Sequence, residues 1–234
     1  RVPGDIRQSI RRAQEAVLRL QNKEEGYWCA NLKSDTTCDC DAIMLYNFLG
    51  RGNSIKIRKL ANRILNEQLP CGGWPIYRNG PAEISATVKA YWALKFAGHS
   101  PSEPRLAAAR RRIRELGGIH KVNTYTKFYM AMFGQYDWQG VPTIPPEIML
   151  FPQWFYFNVY EMSSWTRAIV VPLSIVWSYQ PAIPCPPHAV LAELFPDTRR
   201  HVPLSEAVGP HGLFSWTKFF LLWDQGLKAL EGRG

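Results

Sequence analysis

The chain has 234 residues, 46% hydrophobic and 20% charged, with 28 Lys plus Arg against 19 Asp plus Glu. That balance excludes wholesale disorder and leaves enough chain for one large domain or two small ones. The formal charge of +9 favours anionic partners. Nucleic acid is set aside, because the basic residues do not alternate with aromatics as a single-strand binder requires.

Five cysteines, Cys29, Cys38, Cys40, Cys71 and Cys185, are odd in number and irregularly spaced, so no disulfide framework is expected. Cys38-x-Cys40 lacks a second ligand pair at zinc spacing, and a reduced, cytosolic state is the default. Neither a metal nor an organic cofactor is expected. No signal-peptide pattern and no apolar run of about 18 residues is visible.

In chain order, Asp5 to Gln21 places Ile6, Ile10, Ala13, Val17 and Leu20 at helical spacing, with Arg and Glu opposite. Gln21 to Trp28, QNKEEGYW, turns the chain. Ser34, Asp35 and the following Thr pair offer capping groups for a helix from Cys38 to Leu49, which Gly50 stops. A third helix runs from Ile55 to Gln68.

That helix ends in Gln68-Leu-Pro-Cys-Gly72-Gly-Trp74, a second copy of the first turn with one residue fewer between Gln and Gly. Each turn delivers a Trp two residues after a Gly, and the copies stand about 46 residues apart, a period that reads as a helix-pair array. Pro81-Ala-Glu opens a helix to Gly98, and Leu106 to Leu116 pairs with it. The basic run Arg110 to Arg114 on that second helix reads as a solvated face, or alternatively as a surface for membrane headgroups. Val122 to Gly134 is short and apolar, and the helices around it favour helix over strand.

From Pro145 to Trp177 the chain holds eight aromatic residues and three formal charges, Glu147, Glu161 and Arg167. It reads as a Pro-rich entry followed by a helix from Met162 that Pro172 kinks. So many rings form either a large core or the wall of an apolar cavity. Pro181, Pro184, Pro186 and Pro187 then mark another extended connection. The last helix, Leu213 to Leu230, carries Phe214, Trp216, Phe219, Phe220 and Trp223 among few polar interruptions. It is either buried against the chain or a partner, or inserted shallowly at a membrane interface.

The turn Gln68, Gly72, Trp74 resembles the repeat motif of triterpene cyclases. RLQNKEEGYW, ILNEQLPCGGWPIYRNGP, AYWALKFAG, FGQYDWQGVPTIPPEIML and SSWTRAIVVPLSIVW resemble, in order and spacing, the amino-terminal part of bacterial squalene-hopene cyclases. The resemblance runs from about Asp5 to Leu230. It implies an all-α fold, an α/α-barrel (toroid) of helix pairs linked by the Gln/Gly/Trp turns formed by Gln21, Gly26, Trp28 and Gln68, Gly72, Trp74. By that resemblance residues 1–22 contribute to or dock on a second barrel, residues 23–208 form a γ-type barrel, and residues 209–234 form an amphipathic membrane-associated helix.

The family protonates a terminal alkene with an Asp of an Asp-x-Asp-Asp motif and closes rings along aromatic walls, whose faces stabilise carbocations. No Asp-x-Asp-Asp occurs among these residues. Asp39-Cys-Asp41-Ala stands where the family usually has two Glu, so it is not expected to be the proton donor. The resemblance implies Trp165, Tyr125, Asp41 and Leu32 as cavity residues; the alternative for each is a structural role, as core side chains or a helix-start carboxylate. Most other aromatics of Pro145 to Trp177 are expected in the barrel core. Lys89 stands where some members carry an acid, and Asn123 where Arg is common.

The expectation is therefore half of a class II terpene cyclase, inactive alone, with a polyprenyl or squalene-like substrate and a second chain or domain that brings the acid. The membrane surface is a further expected partner, met as a peripheral protein on the cytoplasmic face. Phe214, Trp216, Phe219, Phe220 and Trp223 are the expected membrane contacts. The alternatives are a non-catalytic isoprenoid-binding or membrane-associated scaffold, or a fragment of a full enzyme.

Overall fold

The computed structural model describes residues 4–29, 34–156, 158–196 and 216–231. The helices among them are α1 (Gly4–Leu20), α2 (Thr36–Phe48), α3 (Ile55–Asn66), α4 (Ile84–Phe96), α5 (Pro104–Glu115), α6 (Thr124–Met132), α7 (Ser164–Tyr179) and α8 (Trp216–Glu231). Short 3₁₀ turns fill the connections, and the described residues contain no strand, only an isolated bridge between Gln21 and Trp28. The architecture is the all-α, helix-pair organisation of the α/α-barrel class.

The chain divides into two compact units, Arg1–Ser34 and Asp35–Gly234. The first holds α1 and the turn after it. Gln21 Nε2 donates to Gly26 O at 2.6 Å, and Trp28 Nε1 donates to Val17 O at 2.8 Å. A helix leaves its last carbonyls without intrahelical donors, and the indole serves one of them. The apolar stripe of α1, including Ile6, Ile10 and Val17, is exposed.

In the second unit α4 is the central element. It is apolar on all faces, the pattern of a helix enclosed on every side, and α2, α3 and α5 pack around it with the turns Ile119–Lys121 and Pro187–Ala189. Every residue from Ser85 to Phe96 is buried. Leu94 alone, at 0% exposure, stabilises the fold by about 2 kcal/mol of apolar transfer. Trp92, Phe96 and Phe133 meet with centroids 5.0–5.3 Å apart.

The helix starts follow the capping logic of the sequence. Asp35 accepts from Thr37 N at 2.8 Å, Glu83 from Ala86 N at 2.8 Å and Asn123 from Thr126 N at 2.9 Å. The ambiguous stretch from Val122 is α6, fixed as a helix by the Asn123 cap. Gly50 follows α2 with φ +69°, as its stop requires.

The turn after α3 repeats the inner bonds of the first: Gln68 Nε2 donates to Gly72 O at 2.9 Å and Trp74 Nε1 to Ile64 O at 2.7 Å. Here the amide reaches further, to Arg105 O in the first turn of α5 at 2.9 Å, and Trp74 is fully buried. Gly72 has φ +88°, and a Cβ on it would meet the Ala108 backbone at 2.7 Å. Two independent constraints therefore require glycine there.

Two sequence expectations are corrected. The Pro-rich connection after α7 is not merely extended: Ala189, Leu191 and Leu194 are buried, making it a strap across α4. Trp92 Nε1 donates to Ala189 O at 3.0 Å, Leu191 N to Gln135 Oε1 at 3.0 Å and Tyr91 OH to Glu193 at 2.7 Å. Buried Lys95 pairs with Glu193 at 2.5 Å and also donates to Val190 O. The second correction concerns the aromatics of Pro145 to Trp177. Trp177 is buried, but Trp154, Tyr156 and Tyr160 are exposed, because the proline-broken backbone of residues 145–163 offers no continuous face to bury, and Trp165 is exposed in the first turn of α7. Pro172 lies inside α7, where it removes one backbone donor.

Candidate functional site

The candidate cavity positions come from three helices. Asp41 lies in the middle of α2 and Lys89 in the middle of α4, and their side chains meet at 2.9 Å. The Lys89 side chain is 9% exposed and that of Asp41 33%. The ammonium lies 4.8 Å from the centre of the Tyr129 ring, on α6, so it faces both a carboxylate and a π surface. The start of α6 is fixed to α4 by the Asn123 amide, which donates to Ser85 Oγ at 3.0 Å.

Tyr125 stands one helical turn before Tyr129, on the same face of α6, and is 46% exposed. Trp165 stands in the first turn of α7, which Ser163 caps through Thr166 N, and is 78% exposed. Neither ring belongs to the core of this chain. The structure thus brings Asp41 together with Lys89 and Tyr129, whereas Trp165 projects from a separate helix. Leu32 and Phe214 lie outside the described residues, as does the side chain of Trp216.

Burial raises the Asp41 carboxyl above its ordinary range, and the neighbouring Lys89 ammonium draws it part of the way back. Burial, and next the Asp41 charge, push the Tyr129 phenol up to about 12. Asp39, two residues from Asp41, points elsewhere: it pairs with Arg63 of α3 at 3.0 Å. Successive odd positions on a helix lie on nearly opposite faces. The two carboxylates of the Asp-Cys-Asp stretch therefore serve different cations and do not form a paired acid site.

Tyr129 is the member of this cluster that sequence reading did not single out, and Lys89 was noted there only as standing where some family members carry an acid. A signal existed: Lys89 and Lys95 are cations on an otherwise apolar helix, and a buried ammonium requires a partner. Among the described residues no group of three metal-ligating side chains converges.

The last helix is oriented by its few polar residues. Asp224 accepts from Thr143 N at 2.7 Å, and Lys228 donates to Gln139 O at 2.8 Å and to Asp224 at 2.7 Å. Asp224 and Lys228, one turn apart, face the body of the unit, and Phe219, Phe220, Leu222 and Trp223 point away from it at 48–59% exposure. The more covered side of the helix carries Leu221 and Leu227 beside Asp224 and Lys228, and its more exposed side carries the aromatic residues. No helix among the described residues is long and apolar enough to cross a membrane.

A family model described as the squalene-hopene cyclase N-terminal domain matches residues 10–234. The chain belongs to the squalene-hopene cyclase family. Squalene-hopene cyclase relatives are found in Alicyclobacillus acidocaldarius, 39% identical over 80% of this chain and 30% of the relative, and in Zymomonas mobilis, 34% identical over 97% of this chain and 34% of the relative. A dammaradiene synthase of Dryopteris crassirhizoma is 32% identical over 99% of this chain and 33% of its own length. The chain therefore spans about a third of the length of these curated relatives, and it is the amino-terminal domain of a squalene-hopene cyclase type of protein that the helices described above build.

Proposed function

We propose that this chain is the non-protonating barrel of a class II triterpene cyclase. It contributes one part of an apolar cavity in which a squalene-like polyprenyl chain is cyclised by protonation and a carbocation cascade. The observation that carries the reading is the family match over residues 10–234 in a sequence that has no Asp-x-Asp-Asp. The acid then comes from another chain or segment. Trp165 and Tyr125 expose ring faces that suit contact with a carbocation, and the Asp41–Lys89 pair supplies a polar end to the apolar wall.

Access to a water-insoluble substrate is given by the outward aromatic face of α8, which rests in the interfacial layer of a membrane as a peripheral anchor. The chain is then a monotopic protein of the cytoplasmic face.

The test is incubation of the chain with squalene, alone and with a polypeptide carrying Asp-x-Asp-Asp. Cyclised product is expected only from the combination, and replacing Trp165 by Ala is expected to change its pattern. Product from the chain alone would refute the division of labour. Squalene binding without product in any combination would support a non-catalytic isoprenoid-binding scaffold instead.

A further inference from the structure

Three lysines are buried among the described residues, Lys89, Lys95 and Lys127, at 7%, 3% and 5% exposure. A buried ammonium without a countercharge is costly, so each calls for an anion. Lys89 has Asp41, and Lys95 has Glu193. Lys127, on α6, makes neither an ion pair nor a side-chain hydrogen bond with any described residue. Its Nζ lies 5.8 Å from the centre of the Tyr136 ring, and the charge that acts on it is of like sign, the ammonium of Lys121. Burial, and next that neighbouring charge, pull Lys127 below the ordinary lysine range.

The rest of the setting favours an anion as well. Lys127 is the fourth residue of α6, close to the end where the helix dipole disfavours a cation, and the first turn holds no acidic residue to compensate. The stem of Lys121 lies against Gly117, where an added Cβ would meet its Cγ at 3.0 Å. Lys121 is itself exposed, which opens an approach from solvent at the turn Ile119–Lys121. Tyr125 and Tyr129 stand two residues to either side of Lys127 and so face the other way, which separates this spot from the candidate cavity.

We propose that Lys127 and Lys121 form a binding site for a phosphate-class oxyanion. A lysine head is a point charge with three donors and no acceptor, suited to a tetrahedral oxyanion more than to planar bidentate recognition. The anion takes up the donors of Lys127 and offsets the repulsion between the two ammoniums. Free phosphate and the phosphate of a lipid headgroup offer the same chemistry.

The test follows thermal unfolding of the full chain with inorganic phosphate and, at matched ionic strength, with chloride. Phosphate at about ten times its dissociation constant is expected to raise the midpoint by about 3 °C over chloride. Lys127→Met keeps a side chain of similar length without the charge, and is expected to abolish that rise. Lys121→Ala, at an exposed position, is expected to weaken phosphate binding about ten-fold. If Lys127→Met does not fold, the Lys121→Ala titration decides. Cosedimentation with phosphatidylglycerol vesicles separates the sources: binding that inorganic phosphate displaces, and that Lys121→Ala loses, supports a headgroup in the site. A thermal response without such displacement supports the free anion. No rise over chloride, or a rise that either variant retains in full, overturns the site. The cyclase reading is untouched by either result, since no candidate cavity residue takes part.

Discussion

Lys89 is more deeply buried than the carboxylate it pairs with, and this asymmetry decides which partner costs more to remove. Asp41→Asn leaves an ammonium enclosed without a countercharge, a loss of about 3 kcal/mol. Lys89→Met leaves a carboxylate that water can reach, and the loss is about 1 kcal/mol. Thermal melting should show falls of roughly 8 °C and roughly 3 °C; equal falls would mean that the pair is not held as described. Local chemistry at this scale was legible: Asp35, as a cap, and Gly50, as a stop, act within a few residues of their own position. The Asp41–Lys89 contact spans 48 residues and exists only because α2 packs on α4. A spacing pattern along the chain does not carry that information. The same holds for Trp165 and Tyr125, whose exposure depends on which helices lie opposite them.

At the scale of elements, hydrophobic period and turn chemistry were enough to locate every helix but α6, which was read as helix only from the helices around it, and ends were displaced by up to three residues, because helix termini are set by caps and not by the apolar pattern. The missed features are those in which proline hides the pattern. The strap of residues 183–195 buries side chains from an irregular backbone, and the aromatic entry of residues 145–163 buries few. The turns themselves give a sharp contrast. Gly72→Ala meets both a left-handed φ of +88° and the Ala108 backbone, so it should cost about 3 kcal/mol or more. Gly50→Ala has a left-handed φ of +69° but open space, and should cost about 1 kcal/mol. Denaturant unfolding of the two variants measures the difference, and similar midpoints would show that close approach of α5 does not constrain the turn.

For the whole molecule, the anchor proposed above would combine net charge with the aromatic face of α8. The +9 charge is long-ranged and screened by salt, whereas ring insertion is neither. Adding anionic lipid to neutral vesicles should therefore tighten binding about ten-fold at low ionic strength and much less at physiological salt. Replacing Phe219, Phe220 and Trp223 by Ser should abolish most binding to neutral vesicles at any salt, by about 100-fold. Unchanged cosedimentation of that triple variant would end the anchor proposal. The strap has a further consequence, for the order of events in folding. Its contacts join Trp92 to Ala189 and Lys95 to Glu193, across separations of 97 and 98 residues. Closing so long a loop is entropically costly before any contact rewards it. The strap is therefore expected to close late in folding, after α2 and α4 have met. In unfolding, release of that clasp is expected to let water reach the indole of Trp92, which is buried beneath it.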